Sequence, residues 1–113
     1  LIIAVKYLIN MEDITVEELK QKIYRNESFV FIDVREPEEY EQANLGAELI
    51  PLGTLPDVLP SLLVHREKEI IIHCRSGARS GNAKLFLVSQ GFTNVRNVLG
   101  GILEWERLYG LHQ

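Results

Sequence analysis

The sequence predicts an α/β domain with a mainly parallel central sheet and helices on both of its faces. Two short runs, residues 29–34 and 70–73, are almost continuously apolar and rich in aromatic and β-branched residues, which suits strands buried on both faces of a parallel sheet. Segments whose apolar residues recur at helical spacing lie around them, so that strand and helix signals alternate along the chain.

The first helix is expected over Val16–Tyr24. Thr15 and Glu18 have capping-box spacing, in which each side chain satisfies the other residue's backbone N–H, and Leu19 and Ile23 continue one apolar face. After the strand at 29–34, Pro37 favours the first turn of a short acidic helix over residues 36–42, with Glu38 and Glu39 at the helix end that attracts negative charge. Residues 48–50 read as a short strand ended by Pro51. Residues 55–63 read as a helix or an irregular helical turn, because Pro56 and Pro60 interrupt them. The strand at 70–73 leads through a loop into a helix over 80–90, which turns Ala83, Phe86 and Leu87 inward and stops at Gly91. Residues 95–99 supply one more strand. Gly100 and Gly101 then lead into a final helix carrying Ile102, Trp105 and Tyr109 on one face.

With 113 residues, 46% of them hydrophobic and 25% charged, the chain has the composition of a soluble globular protein and enough length for one core without disulfides or metal. A single domain is expected over residues 11–113, with residues 1–10 as a lead-in segment or linker remnant. Lys6 breaks the apolar opening far short of the roughly 20 residues that cross a bilayer, and the segment lacks the pattern of a signal peptide. No membrane association is expected. The absence of an initial methionine suggests a fragment or a processed chain. A net charge of -4 argues against nucleic acid as a partner. The single cysteine excludes an internal disulfide, and a free reactive thiol points to a reducing compartment, here the cytoplasm. His65, His73 and His112 lack metal-ligand spacing, so no metal site is expected.

That cysteine opens the run Cys74-Arg75-Ser76-Gly77-Ala78-Arg79-Ser80, directly after a strand. A lone cysteine in this place is commonly a small core hydrophobe. Two arginines and a glycine within the next five residues suit instead a loop that wraps an anion. Nearby guanidinium groups, backbone N–H groups in a tight curl and the positive end of the following helix all favour a thiolate. No acidic residue lies between Ile70 and Leu103, whereas Arg75, Arg79, Lys84 and Arg96 do, which predicts a local excess of four positive charges. Cys74 is the candidate nucleophile. Arg75 and Arg79 are candidates to hold an oxyanion or sulfonate-like group, and the N–H groups from Arg75 through Ser76, Gly77, Ala78 and Arg79 to Ser80 are candidates to face the sulfur. Ser80 reads either as a hydrogen-bond donor to the sulfur or as a helix cap. His73 reads as a donor to a backbone carbonyl rather than as a base. Cys74 and the trio Asp33-Val34-Arg35 both fall at carboxyl ends of strands, where such folds bind ligands.

Three motifs in order, Asp33-Val34-Arg35-Glu36-Pro37-Glu38-Glu39-Tyr40, the cysteine loop, and Asn97-Val98-Leu99-Gly100-Gly101-Ile102-Leu103-Glu104-Trp105, resemble the single-domain rhodanese, or thiosulfate sulfurtransferase, family over roughly residues 14–105. The resemblance implies a rhodanese-like α/β fold and a Cys74 persulfide that carries sulfane sulfur from a donor to a nucleophilic acceptor. The implied partners are a small anionic donor such as thiosulfate, or a protein persulfide, and an acceptor thiol or protein. It implies no cofactor, since sulfur is itself the transferred group. Residues 75–80 would cradle the substrate, and Asp33 and Arg35 would brace the site as supporting residues. Many relatives carry His-Ile-Pro-Gly-Ala where this chain has Ala43-Asn44-Leu45-Gly46-Ala47. That version is similar to rhodanese domains at the C-terminus of adenylyltransferases that activate ubiquitin-like sulfur carriers.

Two rival functions are weaker on the residues. Cysteine phosphatases and arsenate reductases also place a thiolate in an anion loop, but the phosphatases put one residue more between cysteine and arginine than the four separating Cys74 from Arg79. The tighter loop seats a tetrahedral phosphoryl group poorly. A non-catalytic interaction module of the same fold usually lacks the cysteine or fills the loop with acidic or bulky residues, and neither has happened here.

Overall fold

The computed structural model of the chain describes residues 12–111, so the expected lead-in at residues 1–10 and His112 lie outside the described residues. Helix α1 (Val16–Tyr24) starts where its capping box predicts: the Thr15 hydroxyl accepts from Glu18 N at 3.1 Å and the Glu18 carboxylate accepts from Thr15 N at 3.4 Å. Strand β1 (Val30–Asp33) is shorter than the apolar run that announces it, because pairing with the central neighbour begins only at Val30 opposite Ile70. Its first two residues are half-buried rather than enclosed on both faces. In α2 (Pro37–Gln42) proline occupies the first turn, where no N–H is needed, and the Glu39 carboxylate accepts from Glu36 N at 2.9 Å. Strand β2 (Glu48–Leu49) is followed by α3 (Leu55–Leu62), which is helical despite Pro60 and is flanked by 3-10 turns at Leu52–Thr54 and Leu63–His65.

Strand β3 (Ile70–His73) is buried throughout and leads by way of the cysteine loop into α4 (Ala78–Ser89). This helix begins two residues before the expected start at Ser80. Gly77, at φ 111°, turns the chain straight into the first helical residue, a backbone conformation that residues with a Cβ rarely adopt. Strand β4 (Val95–Asn97) ends short of Leu99: Val98 N still donates to Ile72 O of β3 at 2.9 Å, while on the other edge Val98 bridges Ile14 and Leu99 N donates to Ile14 O at 2.9 Å. Helix α5 (Gly101–Tyr109) closes the fold.

The four strands form one parallel sheet in the order β2-β1-β3-β4. From β1 the chain winds outward to β2, then crosses to the other side of β1 to make β3 and β4. The point of reversal lies between the carboxyl ends of β1 and β3, which is where an open α/β sheet leaves a crevice. Side chains of β3 alternate. Ile70, Ile72 and then Cys74 join the core on one face with Leu55 and Leu62 of α3 and Ala83 and Leu87 of α4. Ile71 points to the other face, among Val16 and Leu19 of α1 and the partly buried Trp105 and Tyr109 of α5. Helices therefore cover both faces, as the sequence predicts.

The amino end of α5 meets the exit of β3 at backbone distance. A Cβ on Gly101, whose φ is +59°, would lie 2.6 Å from the Cys74 carbonyl oxygen and would also overlap the Arg75 carbonyl. Gly101→Ala is therefore expected to destabilise the fold by at least about 3 kcal/mol, since neither the backbone angle nor the space admits a methyl group. Urea denaturation of both chains measures this. A loss below 1 kcal/mol, roughly an ordinary surface substitution, would show that α5 can retreat.

Candidate active site

Cys74 stands one residue beyond β3, on the buried side set by the alternation of Ile70 and Ile72, and only 1% of it is exposed. The curl of residues 75–80 bends the backbone back over the sulfur. Sγ accepts from Gly77 N at 3.2 Å, from Ser80 N at 3.4 Å and from the Ser80 hydroxyl at 3.2 Å. Ser80 is not the helix cap but the third residue of α4. Its N–H is one of those at a helix start that have no intrahelical acceptor, and the sulfur takes that place. Burial pushes the Cys74 thiol up, but the Ser80 hydroxyl and the N–H groups of Ser80, Gly77 and Ser76 together outweigh it and hold the thiol below its ordinary value.

The expected positive excess is largely cancelled in three dimensions. Arg79 donates to both oxygens of Glu39, at 2.7 and 2.9 Å. Lys84 pairs with Asp13 at 2.7 Å, and Arg96 with Glu69 at 3.1 Å and Glu18 at 3.5 Å. The linear count misses these because every acid comes from outside residues 70–103. Of the four cations, Arg75 has no ion pair among the described residues, and it is exposed. It lines a cavity of ≈ 310 Å³ beside the loop, together with Arg35, Glu39, Ala43, Ile102 and Leu103. The cavity flanks the sulfur rather than containing it. Ser76 and Ala78 are exposed on the curl, and Gly77 makes the turn.

Asp33 and Arg35 form a buried pair at the end of β1. The Asp33 carboxylate accepts from Arg35 N, Nε and Nη2 at 2.8–3.0 Å. The Arg35 Nη1 and Nη2 groups also donate to the carbonyls of Glu39 at 3.4 Å and Ala43 at 2.7 Å, at the carboxyl end of α2. Burying two charges is costly unless such contacts complete them, and here they tie α2 to β1. His73, on the opposite side of β3 from Cys74, sets Nδ1 3.3 Å from the Cys74 carbonyl. Burial pushes the ring down and favours its neutral form, against the Asp33 carboxylate 3.5 Å from Nε2. In the segment that departs from the rhodanese pattern, Asn44 builds the turn, accepting from Gly46 N at 2.9 Å and donating to Tyr40 O at 3.1 Å.

Three residues of this site are missing from the sequence-based candidates. Glu39 reads in sequence as a helix-end acid, and nothing local announces Arg79 as its partner. Gly101 is visible only as half of a Gly-Gly pair. Asn97 donates to the Gly77 carbonyl at 3.0 Å and accepts from the Ser80 hydroxyl at 2.6 Å. The one local signal for Asn97 is a polar side chain at the end of β4, with buried Val95 two residues before it on the same strand.

Residues 15–108 match the Rhodanese-like domain family. A protein called Sulfurtransferase in Allochromatium vinosum is 33% identical over 86% of this chain and 90% of its own length. Rhodanese-like domain-containing protein 17 of Arabidopsis thaliana is 31% identical over 81% of this chain and 67% of that protein. The crystal structure of a rhodanese-like domain protein from Staphylococcus aureus superposes with a TM-score of 0.78 at 34% identity, covering 90% of this chain and 97% of the other.

The Arg79 pairing holds the Glu39 carboxyl down to about 2 from 4.5. Between these values the unfolded chain binds the proton and the folded chain does not, so the pair's contribution to stability is complete above pH 4.5 and fades as pH falls towards about 2. In denaturation series across that range, Glu39→Gln should be less stable than the native chain at the upper end, with the difference closing at the lower end. A difference independent of pH would mean that the pair does not hold in solution.

Proposed function

The chain belongs to the rhodanese-like domain family, and we propose that it is a sulfurtransferase in which Cys74 takes a sulfane sulfur from thiosulfate or a persulfide and passes it to a thiophilic acceptor. The observation that carries this reading is the ring of donors around Sγ, from Gly77 N and Ser80 N and from the Ser80 hydroxyl, with Arg75 exposed on the same loop. Such a ring stabilises a thiolate and, after transfer, the sulfur anion built on it.

In the first half-reaction the Cys74 thiolate attacks the outer sulfur of thiosulfate. A new S–S bond forms, the old one breaks, and its electron pair leaves with sulfite. In the second, an acceptor nucleophile attacks the outer sulfur of the enzyme persulfide and the Cys74 thiolate is released. Cyanide would serve in the test tube and a thiol or protein acceptor in the cell. The chain holds no second cysteine, so the persulfide has no internal thiol to resolve it, and turnover depends on the acceptor. Arg75 would hold the anionic end of the donor. Arg79, engaged by Glu39, is available for that task only when this pair opens.

Incubation of the reduced protein with thiosulfate, followed by removal of the excess, should add about 32 Da at Cys74. The adduct should be discharged by cyanide and absent from Cys74→Ser. Absence of any adduct, from thiosulfate or from a persulfide donor, would replace this reading with a binding module of the same fold. Arg75→Ala should raise KM for thiosulfate about tenfold, the equivalent of roughly 1.4 kcal/mol, with a smaller effect on a neutral persulfide donor. Glu39→Gln should lower the KM for thiosulfate by releasing Arg79. Equal losses with both donors in Arg75→Ala would assign Arg75 to the shape of the loop.

A further inference from the structure

Behind the cysteine loop, at the end of β4, Asn97 is a nearly buried side chain that the proposed reaction does not use, and both ends of its amide are engaged. The Gly77 carbonyl can only accept, so its partner at 3.0 Å is the amide nitrogen and Oδ1 faces Ser80. The Ser80 oxygen, fully buried, lies 2.6 Å from that Oδ1 and 3.2 Å from Cys74 Sγ. A hydroxyl carries one hydrogen, and here it has two acceptors.

The protonation state of the sulfur decides which acceptor receives it. In the thiol, hydrogens run in one direction: Sγ–H donates to Ser80 Oγ and the Ser80 O–H donates to Asn97 Oδ1. When the thiol ionises, its proton leaves to solvent and the sulfur can only accept. The Ser80 O–H then reaches the thiolate by rotating off Oδ1. Asn97 loses its donor, and its amide cannot turn to find another without releasing the Gly77 carbonyl. A buried acceptor left without a donor opposes the change that creates it.

We propose that Asn97 is a positioning residue for Cys74: it competes with the sulfur for the single Ser80 hydrogen while pinning the Gly77 turn, and so sets how much of that donor the thiolate receives. The inference concerns the cysteine of the proposed sulfur transfer, but its test needs no sulfur donor, so either can fail without the other.

The test follows the rate of iodoacetamide alkylation of Cys74 against pH in four chains: native, Asn97→Ala, Ser80→Ala and the double variant. The charged and titratable groups on the surrounding elements are common to all four: Asp33 and Arg35 at β1, Glu39 on α2, His73 and Arg75 beside the cysteine, and Arg79 on α4. Asn97→Ala should lower the alkylation midpoint by about half a unit in the native background, because the Ser80 hydrogen is freed for the sulfur. It should have no such effect in the Ser80→Ala background. Equal shifts in both backgrounds, no shift, or an upward shift in the native one would make Asn97 a scaffold for the loop and overturn the proposal. Should Asn97→Ala fail to fold, the native chain still answers through the side-chain amide resonances of Asn97. These should move at the midpoint of Cys74 at least about twice as far in the native chain as in Ser80→Ala, where only the charge of the thiolate acts on them. Equal movement in the two would overturn the proposal as well.

Discussion

The arrangement around Cys74 depends on how the chain leaves the sheet at the end of β3. Beyond His73 the backbone has no ladder partner, yet buried Cys74 and the Arg75 that follows it still carry carbonyl groups. Helix α5 begins there and has the opposite need, since the first N–H groups of a helix lack acceptors. Ile102 N donates to the Cys74 carbonyl at 3.0 Å and Leu103 N to the Arg75 carbonyl at 3.1 Å. Each set of unpaired groups satisfies the other, and Gly101 is the residue that lets the two backbones come close enough.

With its carbonyls held from one side, the loop is free to aim its N–H groups at the sulfur from the other. Gly77 makes the turn, and α4 starts at once, so that Ser80 N arrives at the sulfur instead of at a carbonyl. Hydrogen bonds, rather than a field of cations, therefore dominate the environment of the thiol. Most of the neighbouring positive charge is spent on carboxylates, and the Glu39–Arg79 pair also links α2 to α4 across the crevice. Because Arg35 anchors α2 to Asp33 by its carbonyls, the ends of β1 and β3 are coupled through one helix. The two strand ends that the topology brings together thus form one rigid frame.

Much of this was legible in the sequence wherever the cause was local. The Thr15–Glu18 capping box gives the start of α1 to the residue, and the apolar run at 70–73 gives β3. Ends set by a distant partner were displaced. Strand β1 begins where Ile70 lies opposite, and β4 stops where its register with β3 ends, at Asn97 opposite Ile72. The start of α4 moved because Gly77 ends the loop earlier than the serine signal at position 80 suggests. The count of charges along residues 70–103 gave a basic site, and the fold removed most of that character with Glu39, Asp13, Glu18 and Glu69.

What the sequence by itself determined is the alternation of elements, the parallel sheet, and a cysteine followed by a curl of small and basic residues at a strand end. These follow from periodicity, capping and turn chemistry, all of which act within a few residues. Only the tertiary structure decided which donors reach the sulfur, which arginine keeps its charge unpaired, and that Asn97 and Gly101 hold the loop from behind. The charge pairing and the bracing from behind depend on contacts between residues at least 17 positions apart, such as Ser80 with Asn97, Glu39 with Arg79 and Asp13 with Lys84. Side-chain distance in space has no counterpart in spacing along the chain, and hydrogen bonds and ion pairs act at that distance alone.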